Sequence, residues 1–212
     1  MRLYVVRHGQ TAWNAAFLAG GHKDIPLDDV GRAQAKALGA RFEGEHLDRV
    51  LSSDLQRCVE TARPIALPHG IKIETDPRLR ERSMGDYEGR LHEELVEALE
   101  RIAEREGTTF FEARPPNGES LMDVWVRLQP VVAELRRSEG RTVIVTHGGT
   151  ATLLLAGLLG MGPRMARAFR FSNTGVSEIR QRDDGSLVLV KHNDVSHLNG
   201  PVLSGDVEGV HS

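Results

Sequence analysis

Two short apolar runs of the chain each end in a histidine that is followed directly by glycine. VVRHG places Arg7 and His8 before Gly9, and VIVTHGG places His147 before Gly148. If both runs are neighbouring parallel strands, the histidines share the sheet edge where ligands bind, and unpaired helix amides follow His147. A single strand-end histidine is more often a hydrogen-bonded structural residue. Two at matching ends, each with a glycine that lets backbone approach a ligand, indicate a site.

A third run, DRVLSS, leads into a helix that carries Arg57 in its first turns. A cation there opposes the helix macrodipole, but the conflict costs less than about 1 kcal/mol when exposed, so a solvated surface arginine is one interpretation. If Arg57 instead faces the strand ends, it converges with Arg7 and two imidazoles. Such a set favours a phosphoryl ligand, because guanidinium groups match phosphate oxygens in pairs and stay charged.

A covalent mechanism follows from this arrangement. Nearby cations should keep a histidine neutral, and a neutral imidazole is a nucleophile, so His8 is the candidate to accept the phosphoryl group. The leaving oxygen then needs a proton, for which Glu81 in RLRERSMGDYEG is the candidate. Burial beside a dianionic phosphate would raise the pKa of this carboxyl. From the residues alone, a surface carboxylate between Arg80 and Arg82 explains Glu81 equally well.

An alternation of strands and helices must position these residues. The predicted strands are RLYVV, DRVLSS, IKIETD and TVIVTH, and two more strands flank a DDGS turn near the end. The predicted helices are DDVGRAQAKALGARFEG, DLQRCVETARPIAL, HEELVEALERIAEREG, LMDVWVRLQPVVAELRRSEG (kinked at Pro130) and GGTATLLLAGLLG. This order predicts an α/β fold with three α/β/α layers and a mostly parallel central sheet.

Composition narrows the class of protein. The 212 residues suit one domain over 1–205, with a flexible tail at 206–212. A net charge of -3 argues against a nucleic-acid partner, and no window approaches the ~18 apolar residues of a membrane span. The single cysteine, Cys58, excludes an intramolecular disulfide and fits a cytoplasmic protein. Two arginines would repel a divalent cation, and no HxH or HExxH pattern occurs, so we expect no metal.

Five motifs in chain order together resemble those of the histidine phosphatase superfamily, which has the phosphoglycerate mutase-like fold. RHGQTAWN is similar to the signature RHGxTxWN, and GHKDIPLDDVGRAQA to the segment D-x-PL-x-x-x-G-x-x-QA. LSSDLQRCVETA is similar to S-S-x-L-x-R-x-x-x-TA, LRERSMGDYEG to L-x-E-x-x-x-G-x-x-EG, and VIVTHGG to the second histidine motif. RHG alone would be weak evidence, whereas five motifs with family-like spacing are specific and cover nearly the whole chain.

The resemblance implies a role for each matching residue. His8 would be the phosphohistidine nucleophile, Glu81 the proton donor, and His147 a further catalytic residue that binds the phosphoryl group. Phosphate or substrate contacts are expected from Arg7, Asn14, Gly20, Gly21, Arg57 and Gly148. The resemblance implies no metal or organic cofactor. Relatives are often dimers, so a homodimer stays open.

Two reactions fit the resemblance, since a phosphohistidine can be attacked by water in a phosphatase or by a second hydroxyl in a mutase. Mutases of the family carry a longer, basic segment after the glutamate motif. Here the segment is short and acidic, and PPNGES and NDVSHL are similar to motifs of broad-specificity and α-ribazole phosphatases. We therefore predict a phosphatase acting on small phosphate monoesters. A 2,3-bisphosphoglycerate-dependent phosphoglycerate mutase and a non-catalytic phospho-ligand binder are the alternatives.

Substrate specificity is expected to come from a lid over residues 83–118. Within it, Phe110, Phe111 and Arg114 are the candidates to touch the leaving group. A charged residue in a loop is usually only solvated, which is the competing interpretation of Arg114.

Overall fold

The computed structural model describes residues 1–198, and within them six strands form one sheet. The strands are β1 (Arg2–Arg7), β2 (Arg49–Ser52), β3 (Ile73–Thr75), β4 (Arg141–Thr146), β5 (Val176–Gln181) and β6 (Leu187–Asp194). Their spatial order is β3-β2-β4-β1-β5-β6. Strands β1 to β4 are mutually parallel, and β5 pairs antiparallel with both of its neighbours, β1 and β6. The predicted mostly parallel sheet is therefore confirmed. The predicted tail at 206–212 lies outside the described residues.

Helices connect the strands, as the alternating pattern predicts. They are α1 (Ala12–Ala15), α2 (Asp29–Phe42), α3 (Gln56–Ala66), α4 (His92–Glu106), α5 (Leu121–Leu135) and α6 (Gly148–Leu158). The sequence analysis misses α1, a single turn that begins with a capping box between Thr11 and Asn14. Pro130 lies inside α5, which continues past it to Leu135.

The sheet is covered on both faces, which confirms the three-layer architecture. Because side chains alternate along a strand, Leu3 and Val5 of β1 pack into one core with α5 and α6. Tyr4 and Val6 pack into the other core with α2 and α3. The strands are apolar at successive positions because both faces of the sheet are buried.

Parallel pairing brings the carboxyl ends of three strands to one edge. Arg7 at the end of β1 lies opposite Thr146 at the end of β4. Ser52 at the end of β2 lies opposite Val145 of the same strand. Residues that follow these strands must therefore meet, and the helices α3 and α6 begin just beyond them.

The loop after β1 passes so close to the start of α2 that neither backbone leaves room for a side chain. A Cβ on Gly9 would lie 2.7 Å from the carbonyl oxygen of Gly31. A Cβ on Gly31 would overlap the carbonyl oxygen of Gln10. The glycine after His8 is therefore required by backbone packing, and this packing holds the loop that carries the histidine.

This close approach predicts a difference between two Gly→Ala substitutions. Gly31→Ala should destabilise the fold by about 1–3 kcal/mol, because one backbone must move away from the other. Gly44→Ala is the control: open space surrounds that position, so stability should be unchanged or should rise by up to ~1 kcal/mol. Equilibrium urea unfolding of both variants measures the difference, and equal stability would contradict the packing argument.

Candidate active site

A cavity of about 240 Å³ lies beyond the carboxyl ends of β1 and β4. Every residue predicted for the site lines it: Arg7, His8, Asn14, Gly20, Gly21, Arg57, Glu81, His147 and Gly148. A wider depression of about 630 Å³ lies beside Tyr4, Arg41 and Asp194 and contains none of these residues. The chemistry of the side chains, more than the volume, therefore identifies the smaller cavity as the site.

His8 is held as a neutral imidazole. Its side chain is 5% exposed, and Nδ1 lies 2.7 Å from the carbonyl oxygen of Gly9. Because a carbonyl can only accept, Nδ1 carries the proton and Nε2 keeps its lone pair. Burial, together with the guanidinium groups of Arg57 and Arg7, holds the pKa of His8 well below its usual range. The ring thus offers a nucleophilic nitrogen.

His147 lies beside His8, with 5.2 Å between the ring centroids. Nε of Arg57 donates to its Nδ1 over 3.2 Å, so the Nε2 proton points to the hydroxyl of Ser53 at 2.9 Å. Burial first, and then the charge of Arg57, holds the pKa of His147 well below its usual range. Both ring nitrogens are hydrogen-bonded to the protein. A phosphoryl oxygen would have to compete with Ser53 for the Nε2 proton.

Arg57 is buried at the start of α3 and is only 3% exposed. The interpretation as a solvated surface arginine is therefore wrong. Besides the bond to His147, its Nη1 donates to the carbonyl oxygen of Lys23 at 2.7 Å and its Nη2 to that of Gly21 at 2.8 Å. A guanidinium has five N–H donors, so two remain for an anion in the cavity.

The second predicted arginine comes from β1. Nη1 of Arg7 donates to the carbonyl oxygen of Phe171 at 2.8 Å, which fixes the guanidinium at the sheet edge. A Cβ on Gly148 would lie 3.6 Å from Nε of Arg7, an ordinary contact. A Cβ on Gly149 would lie only 2.8 Å from Oε1 of Glu81. Of the two glycines after His147, only the second, Gly149, leaves no room for a Cβ unless the Glu81 carboxylate moves.

Helix α1 and the loop after it contribute three more of the predicted residues, Asn14, Gly20 and Gly21. Gly21 has a φ of +51°, and a Cβ there would overlap the carboxylate of Glu88, whereas Gly20 is surrounded by open space. The amide oxygen of Asn14 accepts bonds from the backbone N–H and the hydroxyl of Thr11. Asn14 therefore has a capping role in α1, and its amide nitrogen is the group that can donate to a ligand.

Glu81 reaches the cavity from a segment that is neither helix nor strand. Its carboxylate accepts the backbone N–H groups of Gly149 at 3.0 Å, Thr150 at 3.2 Å and Arg82 at 3.0 Å. The hydroxyl oxygen of Thr150 also lies 3.2 Å from Oε1, but its single proton has the shorter contact of 2.8 Å to the carbonyl oxygen of Arg80. The amides of α6 that were expected to face the ligand are thus partly occupied by the predicted acid. The helix N-terminus fixes the position of Glu81.

Several residues that the sequence analysis missed also line the cavity. They are Thr11, Trp13, Leu18, Ala19, Ile25, Met84, His92 and Gly149. Most are apolar or small, so they carry no reactive group that would mark them in a sequence. Trp13, Leu18, Ala19, Ile25 and Met84 give the cavity an apolar part, whereas Thr11 and His92 add polar groups.

The expected leaving-group contacts within 83–118 are wrong. Phe110 packs against the cluster beneath α4, and Phe111 is buried in the core beside α5. Arg114 forms an exposed ion pair with Asp123 at 2.7 Å. Of this segment, Met84 and His92 reach the cavity instead.

The described part of the chain contains neither a group of metal-binding side chains nor a membrane-spanning helix. Within residues 1–198, no three His, Cys, Asp or Glu side chains are grouped so that they could hold a metal ion. Over the same range, no helix has the length and apolar character needed to cross a membrane. The metal-free and cofactor-free site, the absence of nucleic-acid partners and the cytoplasmic location stay predictions.

Comparisons with known proteins agree with this geometry. The family model of the histidine phosphatase superfamily (branch 1) matches residues 3–195. A curated relative, the "Probable phosphoglycerate mutase GpmB" of Enterobacter sp. (strain 638), is 36% identical over 211 residues, which cover 96% of this chain and 97% of the relative. The crystal structure of the alpha-ribazole phosphatase from Shigella flexneri is 30% identical, with a TM-score of 0.82, and covers 92% of this chain and 97% of that one. A mycobacterial glucosyl-3-phosphoglycerate phosphatase is also 30% identical, with a TM-score of 0.77, and covers 91% and 98%.

The depressed pKa of His8 predicts a pH dependence of stability. The unfolded chain gains a proton on this ring as the pH falls through about 6.5, whereas the folded chain does not, so stability is lost below that pH. The free energy of unfolding of the wild type should fall between about pH 7.5 and pH 5.5. The free energy of unfolding of His8→Asn should fall by roughly 1 kcal/mol less, since one proton linkage is removed. Urea unfolding at the two pH values tests this, and an equal fall in both proteins would contradict a neutral His8.

Proposed function

The chain belongs to the histidine phosphatase superfamily, and from this premise we propose that it hydrolyses small phosphate monoesters through a phosphohistidine on His8. One observation carries the proposal. A buried, neutral imidazole with its Nε2 lone pair shares one cavity with the guanidinium groups of Arg7 and Arg57, whose charges act on it. This arrangement binds a dianion and presents a nucleophile to its phosphorus. The phosphatase names of the two solved neighbours support the same reaction class.

The first step is transfer of the phosphoryl group to the protein. Arg7 and Arg57 would bind the phosphoryl oxygens, and His8 Nε2 would attack phosphorus. The Nε2–P bond forms as the P–O bond to the alcohol breaks, and the leaving oxygen takes a proton from Glu81.

The second step is hydrolysis. Water attacks phosphorus, the N–P bond breaks, and the electron pair returns to Nε2 of His8. The carboxylate of Glu81 accepts a proton from that water, which restores the acid for the next cycle. The amides of Gly149 and Thr150 hold the carboxylate in place through both steps.

A mutase is the second candidate, because the relative that is 36% identical carries a mutase name. A mutase must also bind the carboxylate of its substrate. Among the cavity-lining residues of the described chain, Arg7 and Arg57 are the only Lys or Arg side chains. The apolar part of the lining includes Trp13 and Leu18. This lining favours hydrolysis of esters whose alcohol carries no carboxylate.

Replacement of the nucleophile tests the proposed reaction. His8→Ala should lower turnover of p-nitrophenyl phosphate by on the order of 10³-fold or more, because the covalent route is lost. The exposed His46→Ala is the control and should keep wild-type turnover. The wild type should form an acid-labile phosphoenzyme, be inhibited by vanadate and remain active in EDTA. A His8→Ala protein with wild-type turnover would overturn the proposal, and tight phosphate binding without a phosphoenzyme would indicate a binder instead.

The choice between water and a second hydroxyl as acceptor has its own test. With 3-phosphoglycerate as substrate, release of inorganic phosphate should be faster than formation of 2-phosphoglycerate, even with 2,3-bisphosphoglycerate present. The physical reason is that the described lining contains no Lys or Arg besides Arg7 and Arg57, so no further such cation holds the glycerate in the geometry for phosphoryl return. Both products can be followed by phosphorus NMR. Isomerisation faster than hydrolysis would identify a mutase.

A further inference from the structure

The segment that carries Glu81 has no sheet or helix of its own to fix it. Residues 80–84 form neither helix nor strand, so their carbonyl groups need partners from elsewhere. The hydroxyl of Thr150 donates to the carbonyl oxygen of Arg80 at 2.8 Å. Nε2 of His22 lies 2.8 Å from the carbonyl oxygen of Glu81. Along this segment, side chains therefore supply the hydrogen-bond donors that a neighbouring strand would supply in a sheet.

Arg127 of α5 makes the largest set of these contacts. Its Nη1 donates to the carbonyl oxygens of Arg78 at 2.6 Å and Arg80 at 3.0 Å. Its Nη2 donates to the carbonyl oxygen of Glu81 at 3.2 Å. One rigid guanidinium thus bridges three carbonyl groups at and before the predicted acid. The side chain is 19% exposed, so solvent screens these bonds only in part.

Glu119 fixes the guanidinium from the other side. Its two carboxylate oxygens accept from Nε of Arg127 at 3.1 Å and from Nη2 at 3.0 Å. The same carboxylate accepts the backbone N–H of Ser83 at 2.9 Å, and the backbone N–H of Glu119 donates to the carbonyl oxygen of Ser83. Glu119 therefore binds the segment directly and also orients the arginine that binds it.

We propose that Arg127 and Glu119 are positioning residues that hold Glu81 where it can protonate the leaving oxygen. The inference rests on the proposed function, because it explains these hydrogen bonds by the role of Glu81 as the acid in that reaction. Neither residue lines the cavity, so neither acts on the substrate itself. Their effect passes through the backbone of residues 78–83. A displacement of the acid by about 1 Å is enough to cost on the order of 10²-fold in rate.

This role has a kinetic signature that a loss of general stability does not. An alkyl alcohol leaves as a strongly basic oxygen and needs the proton of Glu81 as the P–O bond breaks. p-Nitrophenolate leaves as a stabilised anion and needs it far less. A misplaced Glu81 should therefore slow alkyl phosphates much more than p-nitrophenyl phosphate.

The experiment compares kcat/KM for n-butyl phosphate and p-nitrophenyl phosphate in a set of folded variants. Arg127→Met should lower the value for the alkyl ester by on the order of 10²-fold and the value for the aryl ester by less than about 10-fold. Glu81→Gln should show the same selective loss. Arg127→Lys should recover part of the alkyl rate, because one ammonium replaces only some of the donors.

Arg49→Met is the matched control. Arg49 has a similar exposure of 25% and also pairs with two carboxylates, those of Glu74 and Glu134, but it makes no bond to residues 78–83. Arg49→Met should therefore not lower kcat/KM for n-butyl phosphate more than kcat/KM for p-nitrophenyl phosphate. Should Arg127→Met fail to fold in circular dichroism, Glu119→Gln gives the same comparison, because it keeps the volume and removes the charge that orients Arg127.

Two failures can be told apart. Equal loss on both substrates in the Arg127 variants, with a selective loss in Glu81→Gln, would overturn the positioning role and leave the proposed function intact. A wild type that forms no acid-labile phosphoenzyme would overturn the proposed function itself. Selective loss in both Arg127→Met and Glu81→Gln, absent in Arg49→Met, is the result expected.

Discussion

The buried guanidinium of Arg57 connects the parts of the site. Among residues 1–198 its partners are a ring nitrogen of His147 and the carbonyl oxygens of Gly21 and Lys23, so within this range dipoles and not a carboxylate offset its charge. A buried charge without a counter-ion is costly, and an anion in the cavity would recover part of that cost. The same charge sets the protonation of its neighbours, because it helps to lower the pKa of His8 and of His147. Binding and nucleophilicity thus depend on one side chain.

The negative charge of the site is held apart from this cation by the start of α6. Glu81 accepts the amides of Gly149 and Thr150 instead of pairing with Arg57. A carboxylate that paired with the arginine would cancel the charge that binds phosphate. The helix N-terminus offers it partial positive charge without consuming a guanidinium. The separation lets one small cavity contain both an anion-binding centre and an acid.

The parts of this arrangement that could be predicted are those with a local signature. The short apolar runs that end in His-Gly predicted that both histidines lie at the same edge of the sheet. The position of Arg57 soon after a predicted strand indicated that it lies near the start of a helix. Arg127 and Glu119 could not be found in this way, because they act on backbone carbonyl and amide groups, whose partners leave no pattern in side-chain types. Phe111 was expected to contact the leaving group because it is an aromatic residue in the predicted lid. It packs in the core instead, and only tertiary contacts determine whether such a residue faces the core or the cavity.

The lining of the cavity also comes from different parts of the fold. His8, Arg57 and His147 follow strand ends, whose positions the sheet register fixes. Much of the apolar lining comes from α1 and the loop after it, which is joined to Leu91 just before α4 by a bridge at Leu18. Side chains of that loop can change without moving the strand ends. The same chemistry can therefore serve different alcohols, which fits the different substrates in the names of the two similar phosphatases.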